Sequence, residues 1–84
     1  MDNSKKWFVY LLECSDGSFY TGITNDLDKR MKAHASGRGS KYVAQKGFKE
    51  LLRARACKDK SDACKIEYQI KQLKRNEKLN AFQE

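Results

Sequence analysis

The feature that most constrains this chain is a continuous apolar run, Trp7–Leu12, with a turn sequence close behind it. Aromatic and branched side chains without a polar interruption are typical of a central strand that is covered on both faces. Ser15–Gly17 then predicts a hairpin turn, and Phe19–Ile23 predicts the returning strand. The rest of the chain must therefore cover both faces of this hairpin.

The length of the turn decides which side chains of the hairpin share a face. A two-residue turn would put Tyr10 and Tyr20 on opposite faces, because side chains alternate along a strand. A three-residue turn with Gly17 as a left-handed bulge would put both tyrosines on one face. We predict the bulged turn. Gly22 would then lie opposite Tyr10 and leave room beside its ring for a ligand or a backbone.

Length and charge limit the classes of function. The 84 residues predict one domain with a core from about residue 7 to residue 82, which can spare few inward positions for polar side chains. The chain has 18 Lys and Arg against 11 Asp and Glu, a formal net charge of +7. This excess favours an anionic partner, with nucleic acid first and an acidic protein or membrane surface second. Charge that serves only solubility is the alternative.

Cysteine usage and hydropathy predict a reduced, cytoplasmic protein. The cysteines Cys14, Cys57 and Cys64 are odd in number and lack the two-residue gap of a zinc knuckle. We expect reduced thiols in or near the core. No N-terminal run resembles a signal peptide and no apolar run approaches about 18 residues, so no membrane association is expected.

The next segment predicts a helix with two polar residues at the border of its buried side. Asn25 or Asp26 would cap the helix, which would continue to about Ser36. Its buried stripe would consist of Leu27, Met31 and Ala35. Arg30 and His34 would share one face at the edge of that stripe. The alternatives are a surface arginine with a buried stem and a partly buried histidine with a backbone partner.

Gly37–Gly47 predicts a basic loop with one aromatic residue, in which Lys41–Lys46 could form a helical turn. Its candidate nucleic-acid contacts are Arg38, Lys41, Tyr42 and Lys46. This composition suits phosphate contact and base stacking, and a solvated loop is the alternative.

The third strand is predicted at Phe48–Cys57, where apolar residues alternate with arginines. The pattern indicates a half-buried strand at a sheet edge that its charges protect. The apolar positions are Leu52, Ala54 and Ala56. Met1–Lys6 is polar and is expected to fray, and Asn76–Phe82 predicts a short final helix. The predicted fold is α+β, a three-stranded antiparallel sheet flanked by helices in the order β-β-α-β-α-α.

A second long helix carries the residue that is hardest to explain as structure alone. Asp59 or Ser61 would cap this helix, which would run to about Lys74. Its apolar stripe would consist of Ala63, Ile66, Ile70 and Leu73. Glu67 falls inside that stripe, and a carboxylate on a buried face must be paired, bind a metal or be neutral. A structural pair with a lysine or arginine is the alternative to a functional role.

Two short motifs and two later residues make the sequence resemble the GIY-YIG nuclease superfamily. The motifs are Phe8–Tyr10 and Tyr20–Gly22, with Arg30 on the following helix and Glu67 on a later one. The resemblance extends from about residue 7 to residue 79. It is nearest to small stand-alone bacterial members, which are similar to the nuclease domains of excinucleases and of structure-specific endonucleases.

The sequence departs from the family pattern at three positions. Phe8 replaces the first glycine and Thr21 replaces the middle isoleucine. Ile23 stands where excinuclease-like members often carry a lysine, which removes one phosphate contact. Both tyrosines and the second glycine are retained. His34 occupies a position where relatives carry tyrosine or histidine.

The resemblance implies an endonuclease that hydrolyses phosphodiester bonds with one divalent metal ion, Mg²⁺ or Mn²⁺, anchored by Glu67. It implies that Arg30 holds the phosphate oxygens and that Tyr20 or Tyr10 takes a proton from the attacking water, assisted by His34. The expected substrate is nucleic acid, with DNA first, in repair or structure-specific processing. Binding would be shape-driven or weakly specific, or a protein partner would supply the targeting.

Two other classes of function compete with the endonuclease. The first is a non-catalytic nucleic-acid-binding module with the same fold, which would show salt-dependent binding without cleavage. The second is a protein-interaction domain whose basic face meets an acidic partner.

Overall fold

The computed structural model describes residues 6–82. Its elements in chain order are β1 (Trp7–Cys14), β2 (Phe19–Thr24), α1 (Leu27–Ala35), α2 (Lys41–Lys46), β3 (Phe48–Cys57), α3 (Lys60–Lys71) and α4 (Arg75–Asn80). The strands form one antiparallel sheet in the order β2-β1-β3. The predicted α+β class and three-stranded sheet are confirmed, and α2 forms at Lys41–Lys46, where the sequence analysis allowed a helical turn within the basic loop. The fraying expected before Lys6 lies outside the described residues.

The β1–β2 hairpin has the predicted bulged turn. Tyr10 lies opposite Gly22, so Tyr10 and Tyr20 share a face of the sheet. Gly17 has a φ of 88°, in the left-handed region that glycine adopts without steric cost. Its N–H donates to the carbonyl of Cys14 at 2.9 Å. The turn thereby sets the register that brings the two tyrosines together.

Each face of the sheet has its own apolar cluster and its own pair of helices. On the aliphatic face, α3 and α4 cover a cluster whose buried members are Val9, Leu11, Cys57, Ala63, Ile70 and Phe82. On the tyrosine face, α1 and α2 cover a cluster whose buried members are Tyr10, Leu12, Cys14 and Val43. No helix within residues 6–82 is both long and apolar enough to cross a membrane.

Helix α1 packs Leu27 and Met31 on the tyrosine face, as its sequence predicted, but differs from the prediction near its C-terminal end. Asp26 caps it, and the Asp26 carboxylate accepts from the Lys29 N–H at 3.1 Å. The predicted stripe is wrong at Ala35, which is exposed, whereas His34 is 2% exposed and is the buried residue of the helix. The histidine is able to face inward because its ring meets the hydroxyl group of Tyr10 there.

Strand β3 is a sheet edge, as predicted, but less of it is buried than predicted. Leu51 packs on the tyrosine face and Leu52 on the aliphatic face, because the register with β1 shifts at this point. Ala54 and Ala56 are exposed, so the half-buried prediction is wrong for this part of the strand. The flanking helices leave these two residues uncovered.

The C-terminal helices follow the predicted order with a shorter first member. Asp59 caps α3 by accepting from the Asp62 N–H at 2.8 Å, and the helix ends before the predicted Lys74. The predicted final helix is present as α4, and Leu79 and Phe82 pack on the aliphatic face.

The cysteines fit the sequence prediction with one correction. Cys14 and Cys57 are buried free thiols, whereas Cys64 lies exposed on α3 and is not part of the core. The outward side of α3 therefore carries a thiol that was expected in or near the core.

Candidate active site on the tyrosine face

A buried hydrogen bond between β1 and α1 forms the centre of the tyrosine face. The Tyr10 hydroxyl lies 2.8 Å from His34 Nε2, and the two residues are 1% and 2% exposed. His34 Nδ1 is buried without a hydrogen-bond partner in the described part of the chain. The backbone of Gly39 lies against this ring so closely that a Cβ at position 39 would overlap it. The ring is thus fixed on both sides.

Burial sets the protonation of this pair. It raises the pKa of Tyr10 well above the ordinary value, Tyr20 and Glu67 add to the rise, and the Arg30 guanidinium only partly offsets it. Burial, with the charge of Arg30, lowers the pKa of His34. At neutral pH the pair is therefore a protonated phenol and a neutral imidazole.

Tyr20 joins this buried pair to the molecular surface. Its ring is half-buried, with its centroid 6.3 Å from that of Tyr10 and 5.7 Å from that of His34. On another side it stacks on Tyr42, at 5.7 Å between centroids and 24° between planes. Tyr42 is 40% exposed. The four rings form a continuous path from the interior to solvent.

Arg30 is half-buried one helical turn before His34 and lines a pocket of about 360 Å³. The pocket meets the aromatic cluster at Gly39, which lies against the His34 ring. The full lining is Thr24, Asn25, Asp26, Lys29, Arg30, Ala33, Arg38 and Gly39. Three cationic side chains against one carboxylate give the pocket a positive balance. It is suited to an anion with several oxygens, such as a phosphate group.

Glu67 lies on α3, the helix that covers the aliphatic face, and stands apart from the contacts above. Its side chain is 22% exposed, and its Oε2 pairs with Lys71 Nζ at 3.3 Å. Within residues 6–82 no hydrogen bond or ion pair links it to Tyr10, Tyr20 or Arg30. Its charge is nevertheless near enough to contribute to the raised pKa of Tyr10. The structural pair that the sequence left open is present.

The donor set at Glu67 limits the kind of metal site that it could form. No group of three or more His, Cys, Asp and Glu residues suited to a metal occurs within residues 6–82. One partly exposed carboxylate does fit Mg²⁺, which keeps several waters and takes further oxygens from substrate phosphates. Lys71 would have to yield its place at the carboxylate.

The basic residues predicted to contact nucleic acid divide between two places. Arg38 lies at the pocket of Arg30, where its Nε donates to Ser36 Oγ at 3.2 Å. Lys41 and Lys46 lie exposed on α2, and Lys46 Nζ is 3.6 Å from an Asp16 oxygen.

Two residues that sequence reasoning missed complete the surroundings of His34. Phe48 stacks on its ring at 6.3 Å between centroids, and Gly39 supplies the backbone contact. Phe48 carried a signal as the first apolar residue of a strand, whereas nothing in the sequence marked Gly39. Lys29, which was not among the predicted site residues, is exposed and lines the pocket.

Comparison with known proteins decides the family. The profile of the GIY-YIG catalytic domain matches residues 6–80. The chain belongs to the GIY-YIG nuclease family. The two GIY-YIG motifs fall on the paired strands β1 and β2, and the retained Tyr10, Tyr20 and Gly22 lie together on the tyrosine face.

GIY-YIG relatives of similar size occur in several bacteria. The UPF0213 protein BH0048 of Halalkalibacterium halodurans is 48% identical over 71 residues, which are 84% of this chain and 76% of that protein. The UPF0213 protein OB0043 of Oceanobacillus iheyensis is 47% identical over 76 residues, 90% of this chain and 88% of that protein. The solution NMR structure of the BH0048 protein matches with a TM-score of 0.55 at 45% identity, covering 89% of this chain and 80% of that one.

Proposed function

We propose that this GIY-YIG domain is a metal-dependent endonuclease that hydrolyses phosphodiester bonds in nucleic acid, and that its substrate is DNA rather than RNA. The observation that carries the proposal is the cluster of Tyr10, His34 and Tyr20 beside Arg30 and its cationic pocket. A buried tyrosine–histidine pair next to a positive pocket with room for a phosphate group is an arrangement typical of functional sites.

Arg30 is the proposed phosphate ligand. Its planar guanidinium can donate two parallel hydrogen bonds to non-bridging phosphate oxygens. The pocket that it lines is open to solvent on the side of Lys29 and Arg38, so the strand can enter without displacing the buried pair.

Tyr20 is the proposed base toward the attacking water, in preference to Tyr10. The raised pKa of Tyr10 keeps its hydroxyl protonated and occupied with His34. Tyr20 is half-buried and reachable from the surface. The rings of Tyr10 and His34 would pack against the Tyr20 ring and hold it in position.

Glu67 would hold the divalent ion, Mg²⁺ or Mn²⁺, which supplies stabilisation of negative charge on the reacting phosphate when bound. The Glu67 carboxylate must first exchange Lys71 for that ion. Because exposed ion pairs contribute little, the exchange is feasible when a phosphate strand arrives.

A cleavage panel tests the proposal. Labelled single-stranded, branched and duplex DNA would be incubated with Mg²⁺ or Mn²⁺, using wild-type protein, Glu67→Gln and Arg30→Ala. We expect Glu67→Gln to abolish cleavage while sparing binding, and Arg30→Ala to impair both. Glu50→Gln is the matched control, because it makes the same carboxylate-to-amide change at an exposed position on β3. This variant should cut at the wild-type rate. Cleavage by Glu67→Gln at full rate would refute the mechanism.

A non-catalytic nucleic-acid-binding module is the second candidate. The ion pair of Glu67 with Lys71, and its separation from the contact cluster, favour it. Salt-sensitive binding to all three substrates without metal-dependent nicking would select the module.

The basic side chains at α2 and at the pocket are the proposed strand contacts, namely Arg38, Lys41 and Lys46, with Tyr42 as the proposed aromatic contact. Sequence-independent contacts of this kind predict weakly specific binding, so a protein partner would supply any targeting. A cytoplasmic location remains a prediction from the free cysteines.

A further inference from the structure

Tyr42 is an exposed aromatic ring that the fold holds in place. Among the described residues, the large hydrophobic side chains that remain exposed are Tyr42, at 40%, and Tyr68, at 69%. Tyr42 differs from Tyr68 because one side of its ring stacks on Tyr20, a residue of the proposed active site. The exposed part of that ring is available to a ligand.

Helix α2 holds Tyr42 in place through the residues that flank it along the chain. The Ser40 hydroxyl caps the helix by accepting from the Val43 N–H at 3.1 Å. Val43, next to Tyr42 in the chain, is 0% exposed in the cluster of the tyrosine face. A ligand that stacks on Tyr42 would therefore meet a preorganised surface and lose little entropy in ordering it.

Cationic side chains accompany the ring. Lys46 Nζ lies 5.9 Å from the Tyr42 centroid, at the outer limit of a cation–π contact, and pairs with Asp16 in solvent. Lys41, exposed, precedes Tyr42 in the chain. A phosphate group that flanks a stacked ligand would find a lysine on the same short helix.

We propose that Tyr42 is a stacking platform for an unpaired nucleobase, so that the substrate class is a strand with at least one unpaired nucleotide beside the scissile phosphate. This inference rests on the proposed function and deepens it. Aromatic side chains stack on any base whose face is free, and a base inside a duplex has both faces covered by its neighbours. Because Tyr42 stacks on Tyr20, the proposed base, the unpaired nucleotide would lie next to the reacting phosphate.

The test measures binding without cleavage. Single-stranded oligonucleotides that contain 2-aminopurine, and the same sequence in a duplex, would be titrated in EDTA. We expect 2-aminopurine fluorescence to be quenched on binding of the single strand, because the base stacks on the ring. Tyr42→Leu, which keeps apolar cover over Tyr20 but has no aromatic face, should weaken single-strand binding by roughly 5- to 150-fold.

Two further variants make the result specific. Tyr42→Phe retains the aromatic face and should bind the single strand like wild type. Tyr68→Ala, the other exposed tyrosine, should also bind like wild type. The preference for single strand over duplex should disappear in Tyr42→Leu alone. Urea unfolding midpoints for all variants would show that each protein is folded under the assay conditions.

The proposal is overturned if Tyr42→Leu binds the single strand as tightly as Tyr68→Ala does. It is equally overturned if Tyr42→Leu loses affinity for single strand and duplex by the same factor, since that result indicates a purely electrostatic or structural effect. These titrations contain no divalent metal and measure binding alone. A failure of cleavage in the panel above would therefore refute the proposed function without deciding whether Tyr42 binds an unpaired base.

Discussion

The two faces of the sheet differ in the polarity of the side chains that they bury. The aliphatic face carries Val9 and Leu11 against the inward residues of α3, and its buried side chains are apolar apart from the Cys57 thiol and the Thr21 hydroxyl. The tyrosine face buries a hydroxyl and an imidazole, Tyr10 and His34, that must satisfy each other. The comparison teaches that a chain of 84 residues can place polar groups in its interior when the opposite face supplies the apolar burial.

The largest expected difference between the faces is in stability. Leu11→Ala removes a side chain that is 0% exposed and leaves a cavity on the aliphatic face, so it should lower the free energy of unfolding by about 2–5 kcal/mol. Urea denaturation followed by circular dichroism measures the effect. Residual activity, corrected for the folded fraction, should equal that of wild type. Lost activity in a fully folded Leu11→Ala protein would break the division between the faces.

The second prediction concerns the hydrogen bond on the tyrosine face. Tyr10→Phe keeps the ring and removes the hydroxyl, which leaves His34 Nε2 buried without a partner. The free energy of unfolding should fall by about 1–3 kcal/mol. The largest loss expected here is therefore smaller than the largest loss expected for Leu11→Ala. Tyr20→Phe is the comparison variant. It should abolish cleavage with a smaller loss of stability, because the half-buried Tyr20 is the proposed base.

The third prediction runs in the opposite direction. Thr21 lies opposite Leu11 on the aliphatic face, 2% exposed, and its hydroxyl has no hydrogen-bond partner within residues 6–82. Thr21→Val replaces that hydroxyl by a methyl group of similar shape and should raise the free energy of unfolding by about 1 kcal/mol. The family pattern has an apolar isoleucine at this position. A destabilised Thr21→Val protein would show that the hydroxyl is satisfied.

The smallest expected effect is a pH dependence that belongs to the tyrosine face alone. The pKa of His34 is lowered in the folded protein, whereas the unfolded chain has the ordinary value of about 6.5. Below that value the unfolded state binds more protons, so this contribution to stability is complete above pH 6.5 and is lost as the pH falls through the folded pKa. His34 is the only histidine in the chain. Urea midpoints at about pH 7.5 and 5.5 should differ in wild type more than in His34→Gln.

Local sequence signals predicted the parts of the fold that short-range chemistry determines. Gly17 fixed the turn because a left-handed residue was needed there, and the tyrosine register followed from it. Asp26 and Asp59 were correct among two alternatives each, since an aspartate readily accepts from the first free N–H groups of a helix. The family motifs on β1 and β2 added the candidate site residues.

Long-range pairing explains the parts that sequence could not supply. His34 faces the sheet because Tyr10, distant in the chain, offers a hydroxyl, and the apolar pattern of α1 favoured Ala35 instead. Glu67 was correctly marked as a polar residue within an apolar stripe, and its partner Lys71 lies four residues further along the same helix, so that pair follows from local spacing. The separation of Glu67 from the contacts of the tyrosine face, in contrast, depends on how α3 packs on the sheet. The exposure of Ala54 depends on where the covering helices end.

The contact between Gly39 and the His34 ring has a consequence for how this protein can change over generations. Position 39 lies in a surface segment, and its backbone conformation is one that other residues adopt without strain. By these two criteria alone, the residue at this position would be expected to vary. Any side chain there would push the imidazole off the phenol of Tyr10. Natural variation should therefore spare this glycine as strictly as it spares the tyrosines themselves, although it performs no chemistry.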